Sequence, residues 1–310
     1  MANCEVGRYF SGWARHDSGG WSHQIAVLSC ALALANTSNR TLVIPDKLIF
    51  PRGHTFSKKD ERYKMNESVD LPRMSSYGIG VKIKYESEFK VVMSSLNSTF
   101  SRKYVPWVLK NPEFRNCSHL TKLRGASCHI AHRSRYYYMF NYCQKSTSLY
   151  PACIPQPLDY IQPIPPISRL IDMIAKSIHP FIHLHVRRGD KGKGIETEPP
   201  NIIHTLNKIL STTPAPSKTS IWLGTDEHSR EFFMGLTNSS FIFLTLDTFR
   251  FPAEVANRTV AVNDSYTPTV GEYLQTVTRH SLYSVQVDYG MKKHAVMSVD
   301  NSDLQRHCCV

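Results

Sequence analysis

From residue 168 onward, stretches with helical periodicity alternate with short apolar runs, and this alternation restricts the second half of the chain to few architectures. Ser168 stands where it can cap a helix whose apolar positions Leu170, Ile171 and Ile174 share one face. A strand is then expected over Phe181 to Val186, a helix over Ile202 to Leu210, a strand over Ser220 to Gly224, a helix over His228 to Met234 and a strand over Phe241 to Leu246. Apolar strands separated by helices pair in parallel and are covered on both faces. The first half repeats the theme. Tyr9 and Phe10 lead into "SGGWSHQ", Ile25 to Ala35 runs in helix-forming residues, and "TLVIP" is a short β-branched strand stopped by proline.

At 310 residues the chain is long enough for two domains. "QPIPPIS", residues 162 to 168, is the expected linker, because prolines at 163, 165 and 166 stiffen the backbone and exclude helix. Arg52 to Arg73 reads as an exposed basic excursion with one or two helical turns, and "GIGVKIKYE" as a strand with one solvated face. Residues 111 to 157, rich in tyrosine and cysteine, follow no period. Near the carboxyl end "GEYLQTVTRHSLYSVQVDYGMKK" reads as one amphipathic helix, with Leu274, Val277, Ser281 and Val285 on one face.

Hydrophobic content of 41% and charged content of 20% belong to a globular chain rather than a disordered one. The net charge of +12 favours an anionic partner without choosing among nucleic acid, acidic membrane and phosphorylated small molecule. A nucleic-acid role would rest on charge alone, since no recognisable module or aromatic-interleaved basic surface accompanies it. Of the eight cysteines, Cys117, Cys128, Cys143 and Cys153 are grouped, and no spacing is that of a zinc site. N-x-S/T acceptors occur at Asn36, Asn39, Asn66, Asn97, Asn116, Asn238, Asn257 and Asn263, where chance would give about two or three. They favour a luminal or secreted history and disulfides among the grouped cysteines, with buried thiols as the alternative. "MANCEVGRYF" at the amino terminus holds no apolar segment long enough for a signal or anchor, so none is expected within this chain.

Three stretches can carry chemistry. "FIHLHVRRGDKGKG" begins as a buried strand and stops on Arg187, Arg188, Gly189 and Asp190. In open α/β sheets the carboxyl ends of strands border the ligand crevice, and an arginine there offers phosphate a planar fork of donors. His183 and His185 lie on one face of that strand and could hold a metal, although the adjacent arginines oppose a cation. Arg188-Gly189-Asp190 also spells an adhesion signal, but on a core strand rather than a projecting loop. "SIWLGTDEHSREFF" ends a second buried strand on Thr225, Asp226 and Glu227, carboxylates able to accept from sugar hydroxyls or a base. "SGGWSHQ" supplies Gly19 and Gly20 at a turn whose amides, with the helix that follows, could meet phosphate or sugar oxygens.

Together these stretches resemble the GDP-fucose-dependent fucosyltransferase superfamily, which includes the α1,6- and protein O-fucosyltransferases. The resemblance lies in "GGWSHQIAVLSCALALANTSNRTLVIP", "HVRRGDK" and "IWLGTDE", with "SVDLPRMSSYGIGV" similar to an Asp-Leu-Arg segment after the first unit. It implies a GT-B-like α/β fold, two Rossmann-like domains facing a cleft: 1–165 on the acceptor side and 166–310 holding GDP-fucose. It further implies an inverting, metal-independent transfer of fucose to a protein or glycan hydroxyl in the endoplasmic reticulum or Golgi lumen, with no cofactor beyond the donor. Arg187 would contact the β-phosphate and stabilise the leaving GDP. His185 and Arg188 would flank it, Asp190 would orient the cluster, Asp226 and Glu227 would lie near the donor, and Gly19, Gly20 and His23 would belong to the glycine-rich turn.

Three places depart from the family pattern. His23 stands where asparagine is usual, no strand running into a serine-containing donor loop is recognised after Tyr266, and the chain stops at "LQRHCCV", which leads to the expectation of a shortened carboxyl-terminal domain. The rival expectation is therefore a non-catalytic relative that binds nucleotide sugar or glycan.

Overall fold

The structure, a computed structural model, describes residues 4, 6–12, 20–50, 55, 59–78, 80–96, 107–109, 127–132, 160–188, 194–211, 219–227, 229–237, 240–263 and 265–307. Backbone contacts divide the chain into two compact units, Met1–Ile164 and Pro165–Val310. Both are α/β, and each is built on a parallel sheet.

In the first unit β1 (Tyr9–Ser11) is the hub. It pairs on one side with β2 (Thr41–Ile44), which carries β5 (Ile83–Tyr85), and on the other with β7 (His129–His132), which carries β6 (Trp107–Leu109). Helix α1 (Trp21–Thr37) packs on β1 and β2, and its Ala- and Leu-rich sequence is buried almost all round, from Trp21 to Ala35. Gln24 is buried in it and donates to the Ile49 carbonyl at 2.8 Å, tying the helix to a hairpin of β3 (Lys47–Phe50) and β4 (Glu61–Lys64). The stretch expected as an exposed excursion thus contains a strand, and its Met65 and Val69 are buried. Asp70 caps α2 (Leu71–Ser75) by accepting from the Arg73 amide, and α3 (Glu86–Ser94) follows β5. Cys128 pairs with Cys4, a partner far from the grouped set, and Cys30 is also disulfide-bonded. Cys117, Cys143 and Cys153 lie outside the described residues.

The second unit has strand order β10 (Ile242–Leu244), β9 (Ser220–Thr225), β8 (Phe181–Val186), β11 (Met297–Val299). Alternate residues of β8 separate its two faces. Ile182, Leu184 and Val186 join Ile221, Leu223, Ile202, Leu206, Phe232 and Leu304 in one apolar core, under α5 (Pro199–Ser211), α6 (Arg230–Thr237) and α10 (Asn301–His307). His183 and His185 face α9 (Ser281–His294), which packs on α4 (Pro165–Ile178).

Helix α4 begins at Pro165, so the prolines read as a stiff linker open a helix instead, and Ser168 lies inside it rather than at its cap. Proline suits the first helical positions because its missing N–H would have no intrahelical acceptor there. The single amphipathic helix expected near the carboxyl end is two. After α7 (Ala253–Ala256), α8 (Val270–Thr278) starts on a reciprocal cap between Thr269 and Glu272 and stops before α9, for which His280 is the N-cap. Val285 is consequently only partly buried, while Leu274, Val277 and Ser281 are buried.

Candidate functional site

Strands β8 and β9 are six residues long and in full register, from Phe181 opposite Ser220 to Val186 opposite Thr225. Arg187 and Arg188 therefore leave one strand beside Asp226 and Glu227 leaving the next. The chain winds outward from β8 through β9 to β10 and then places β11 on the other side of β8. This reversal of winding direction is where open α/β sheets split to admit ligands at their carboxyl ends.

Arg187 stands at that split, and Asn301, the first residue after β11 and Asp300, fixes its main chain. The Arg187 amide donates to Asn301 Oδ1 at 3.0 Å, and Asn301 Nδ2 donates to the Arg187 carbonyl at 2.9 Å. Asp300 steadies the turn by accepting from the Ser302 amide at 2.8 Å and the Ser302 hydroxyl at 2.6 Å, while its own amide donates to Asp303. Burial alone would raise the Asp300 carboxyl, but these bonds hold it below its ordinary value. A short strand, Met297–Val299, which the sequence pattern does not show, thus leads through Asp300 into α10 beside Arg187.

Arg188 points elsewhere. It is 5% exposed, its guanidinium donates to the Thr197 carbonyl at 2.6 Å and to Glu198 at 2.9 Å, lies 3.1 Å from Glu227, and covers the Phe232 ring. Its backbone amide donates to Asp226 Oδ1 at 2.6 Å. Arg188 and Glu227 thus brace the two strand ends together, and Glu227 also accepts from the Ser229 amide ahead of α6. Their place in the group is to hold Arg187 and Asp226 in position.

On the other face, His183 and His185 share one carboxylate. Asp288 of α9 lies 3.3 Å from His183 Nε2 and 3.4 Å from His185 Nδ1, and His183 Nδ1 lies 3.2 Å from the Ser298 hydroxyl of β11. Gly224, opposite His185 in the ladder, makes room for it, since a Cβ there would fall on the Asp288 carboxylate. Burial would raise the Asp288 carboxyl, but hydrogen bonds and charge from His183 and His185 take it far below the carboxylate range. Burial would lower the His185 imidazolium, but the bond to Asp288, with the charges of Asp288 and Asp226, raises it above the ordinary histidine value against the opposing Arg187. The H-x-H pair is thus organised around a carboxylate. Among the described residues no group of His, Cys, Asp or Glu is arranged to hold a metal.

The structure brings His185, Arg187, Arg188, Asp226 and Glu227 together. Gly19 and Asp190 lie outside the described residues. In the first unit Gly20 precedes α1 as its N-cap with no side-chain cap, and His23 falls in the helix's first turn. The sequence reading missed Asp288, whose partners are over 100 residues away and carry no local signal. It also missed Asn301, although Asp300 and Asp303 spell a helix start that was open to reading.

No family model matches the chain, and no curated protein matches it. Among solved structures it is similar to NodZ α-1,6-fucosyltransferase soaked with GDP-fucose, at 13% identity and a TM-score of 0.48, over 97% of this chain and 91% of that one. It is also similar to POFUT1 in complex with GDP, at 13% identity and a TM-score of 0.47, over 96% and 92%. Fucosyltransferase NodZ from Bradyrhizobium gives 13% identity and 0.46, over 97% and 92%.

Proposed function

We propose that this protein binds GDP-fucose at the carboxyl ends of β8, β9 and β11 and transfers fucose, with inversion, to a hydroxyl of a protein or glycan. The observation that carries the reading is Arg187, held by both backbone polar groups at the reversal of winding, with a raised His185 beside it. An arginine with a histidine beside it whose imidazolium is favoured suits a diphosphate, whose charge grows as it leaves.

The reaction breaks the bond from the sugar's anomeric carbon to the β-phosphate oxygen, and the electron pair stays with GDP. Arg187 meets the charge that develops there and takes the part that a divalent cation plays in metal-dependent transferases. The acceptor oxygen bonds the opposite face of the anomeric carbon and gives up its proton, and no residue is assigned as its base. Asp226, whose carboxylate already receives the Arg188 amide, is assigned to accept from the donor's hydroxyls. The disulfides at Cys4, Cys128 and Cys30 support an oxidising, secretory compartment. No described helix is long and apolar enough to cross a membrane.

The test is calorimetric titration with GDP and GDP-fucose, followed by turnover on a panel of glycan and protein acceptors. Arg187→Ala is expected to lower kcat/KM by about 10²–10³ with the melting temperature unchanged. Absence of binding by both nucleotides to the native protein overturns the reading. Binding without turnover on any acceptor makes the protein a nucleotide-sugar-binding relative, to which the substitution of His23 for the usual asparagine points.

A further inference from the structure

The segment between α7 and α8 holds a feature unrelated to the strand ends. Asn263 and Tyr266 close a tight turn in which the Asn263 amide donates to the Tyr266 carbonyl at 3.4 Å and the Tyr266 amide to the Asn263 carbonyl at 3.3 Å. Residues that exchange both backbone bonds present their side chains on the same side. Tyr266 is 42% exposed, and its ring lines a groove of about 350 Å³ together with Pro268, Gln275, Thr276 and Arg279.

Asn263 begins the acceptor triplet Asn-Asp-Ser. It is exposed, and both side-chain hydrogen bonds made by its carboxamide are at Oδ1, which receives the Ser265 amide and the Ser265 hydroxyl, each at 3.0 Å. The nitrogen takes no part in these bonds. The triplet at Asn36 is the opposite case. Asn36 packs against Gly78 with its Oδ1 buried, and Ser38, the third residue of its triplet, is fully buried and donates to the Leu34 carbonyl at 2.6 Å. A glycan on Asn36 is incompatible with this packing.

We infer that Asn263 is an N-glycan acceptor and that the first sugars of its glycan lie in the groove beside Tyr266. The inference rests on the secretory compartment but not on the transferase reading. In the transfer, the Asn263 Nδ2 atom bonds the anomeric carbon of a polyprenyl-diphosphate oligosaccharide as its C–O bond to phosphate breaks. The polyprenyl diphosphate leaves with that electron pair, and Nδ2 loses one proton. The groove matches a sugar in chemistry: the exposed ring of Tyr266 takes its C–H surface, and Gln275, Thr276 and Arg279 meet its hydroxyls.

The full chain, directed by a leader peptide through the secretory pathway of a eukaryotic host, is digested with a peptide N-glycosidase in isotope-labelled water, and every triplet is mapped by mass spectrometry. Label is expected at Asn263 and absent at Asn36. Release from the native protein is then timed, and Tyr266→Ser is expected to speed release at Asn263 by about tenfold while leaving release at Asn257 unchanged. An unlabelled Asn263 overturns the acceptor assignment, and equal release rates in the two proteins overturn the seating of the glycan. Titration of the same preparations with GDP reports on the transferase reading separately.

Discussion

The two parallel sheets are wound alike, with a central strand from which the chain departs in both directions, yet they bury their arginines at opposite ends. In the first unit Arg40 precedes β2 and donates to the carbonyls of Tyr9, Ser127 and Cys128, at the amino ends of β1 and β7. In the second unit Arg188 follows β8 and is braced at the carboxyl ends, beside Arg187 and Asp226. Amino ends of such sheets are the closed side, and carboxyl ends are the side that opens to ligand. The same residue type therefore ties the amino ends of one sheet and braces the carboxyl ends of the other. Charge divides differently. Lysine and arginine outnumber aspartate and glutamate by 22 to 11 in Met1–Ile164 and by only 15 to 14 in Pro165–Val310. The net charge of +12 belongs almost wholly to the unit without Arg187 and gives no support to donor binding. In the second unit the cations that matter are selected by position, each beside a carboxylate.

The widest separation between the two ends is expected from Arg40→Met. It removes a charged donor from three carbonyls inside the first unit and should cost on the order of 2–3 kcal/mol in denaturant unfolding. Burial, with Arg8 nearby, already lowers the Arg40 pKa to about 10, so part of the loss is offset by relief of a desolvated charge. Affinity for GDP should not move. A weakened GDP titration curve with unchanged unfolding would reverse the assignment of the two ends.

A smaller effect is expected from Gly224→Ala in the second unit. The new methyl group must displace Asp288 from its seat over β9, releasing His185 without touching Arg187. GDP affinity should fall about tenfold, equivalent to about 1.4 kcal/mol. Unchanged affinity in the folded variant would show that the carboxylate's hold on His185 does not reach the ligand.

Both strands that carry the site were readable because each is a run of apolar residues broken abruptly by charge, "FIHLHV" by arginine and "IWLG" by Thr-Asp-Glu. Such strands lie in a sheet covered on both faces, and their pattern needs no partner to be seen. Strand β11 is three residues with one buried, Val299, so it offers no comparable run. Its existence depends on pairing with β8, over 100 residues earlier. The break between α8 and α9 is marked only by His280, a side chain outside the usual capping set that accepts from the Tyr283 amide, and the apolar face continues across it. The prolines at 165 and 166 would break a helix from inside, but they occupy its first turn, where no N–H is needed. The pairing of Cys4 with Cys128 spans 124 residues, and spacing carries no information on such a bond.

The smallest expected effect is a change with pH, and it tests whether the carboxyl-end cluster works as one unit. Asp288 and Asp226 raise the His185 pKa, so the imidazolium persists to a higher pH than an ordinary histidine would allow. Its contribution to stability, and its positive charge beside Arg187, is complete below the ordinary histidine value of about 6.5 and is lost as pH rises through the raised value. GDP affinity measured across this interval should therefore decline severalfold toward alkaline pH. Asp288→Asn removes the carboxylate charge and keeps the side chain's shape, so the decline should move to lower pH. The groups facing His185 are Asp288 from α9, Asp226 from the end of β9 and Arg187 from its own strand, and only the first is altered. Asp226→Asn should move the decline in the same direction by less, because its influence is through charge alone. If the native protein and Asp288→Asn decline over the same interval, His185 is not the group being read, and the two faces of β8 act independently at its end.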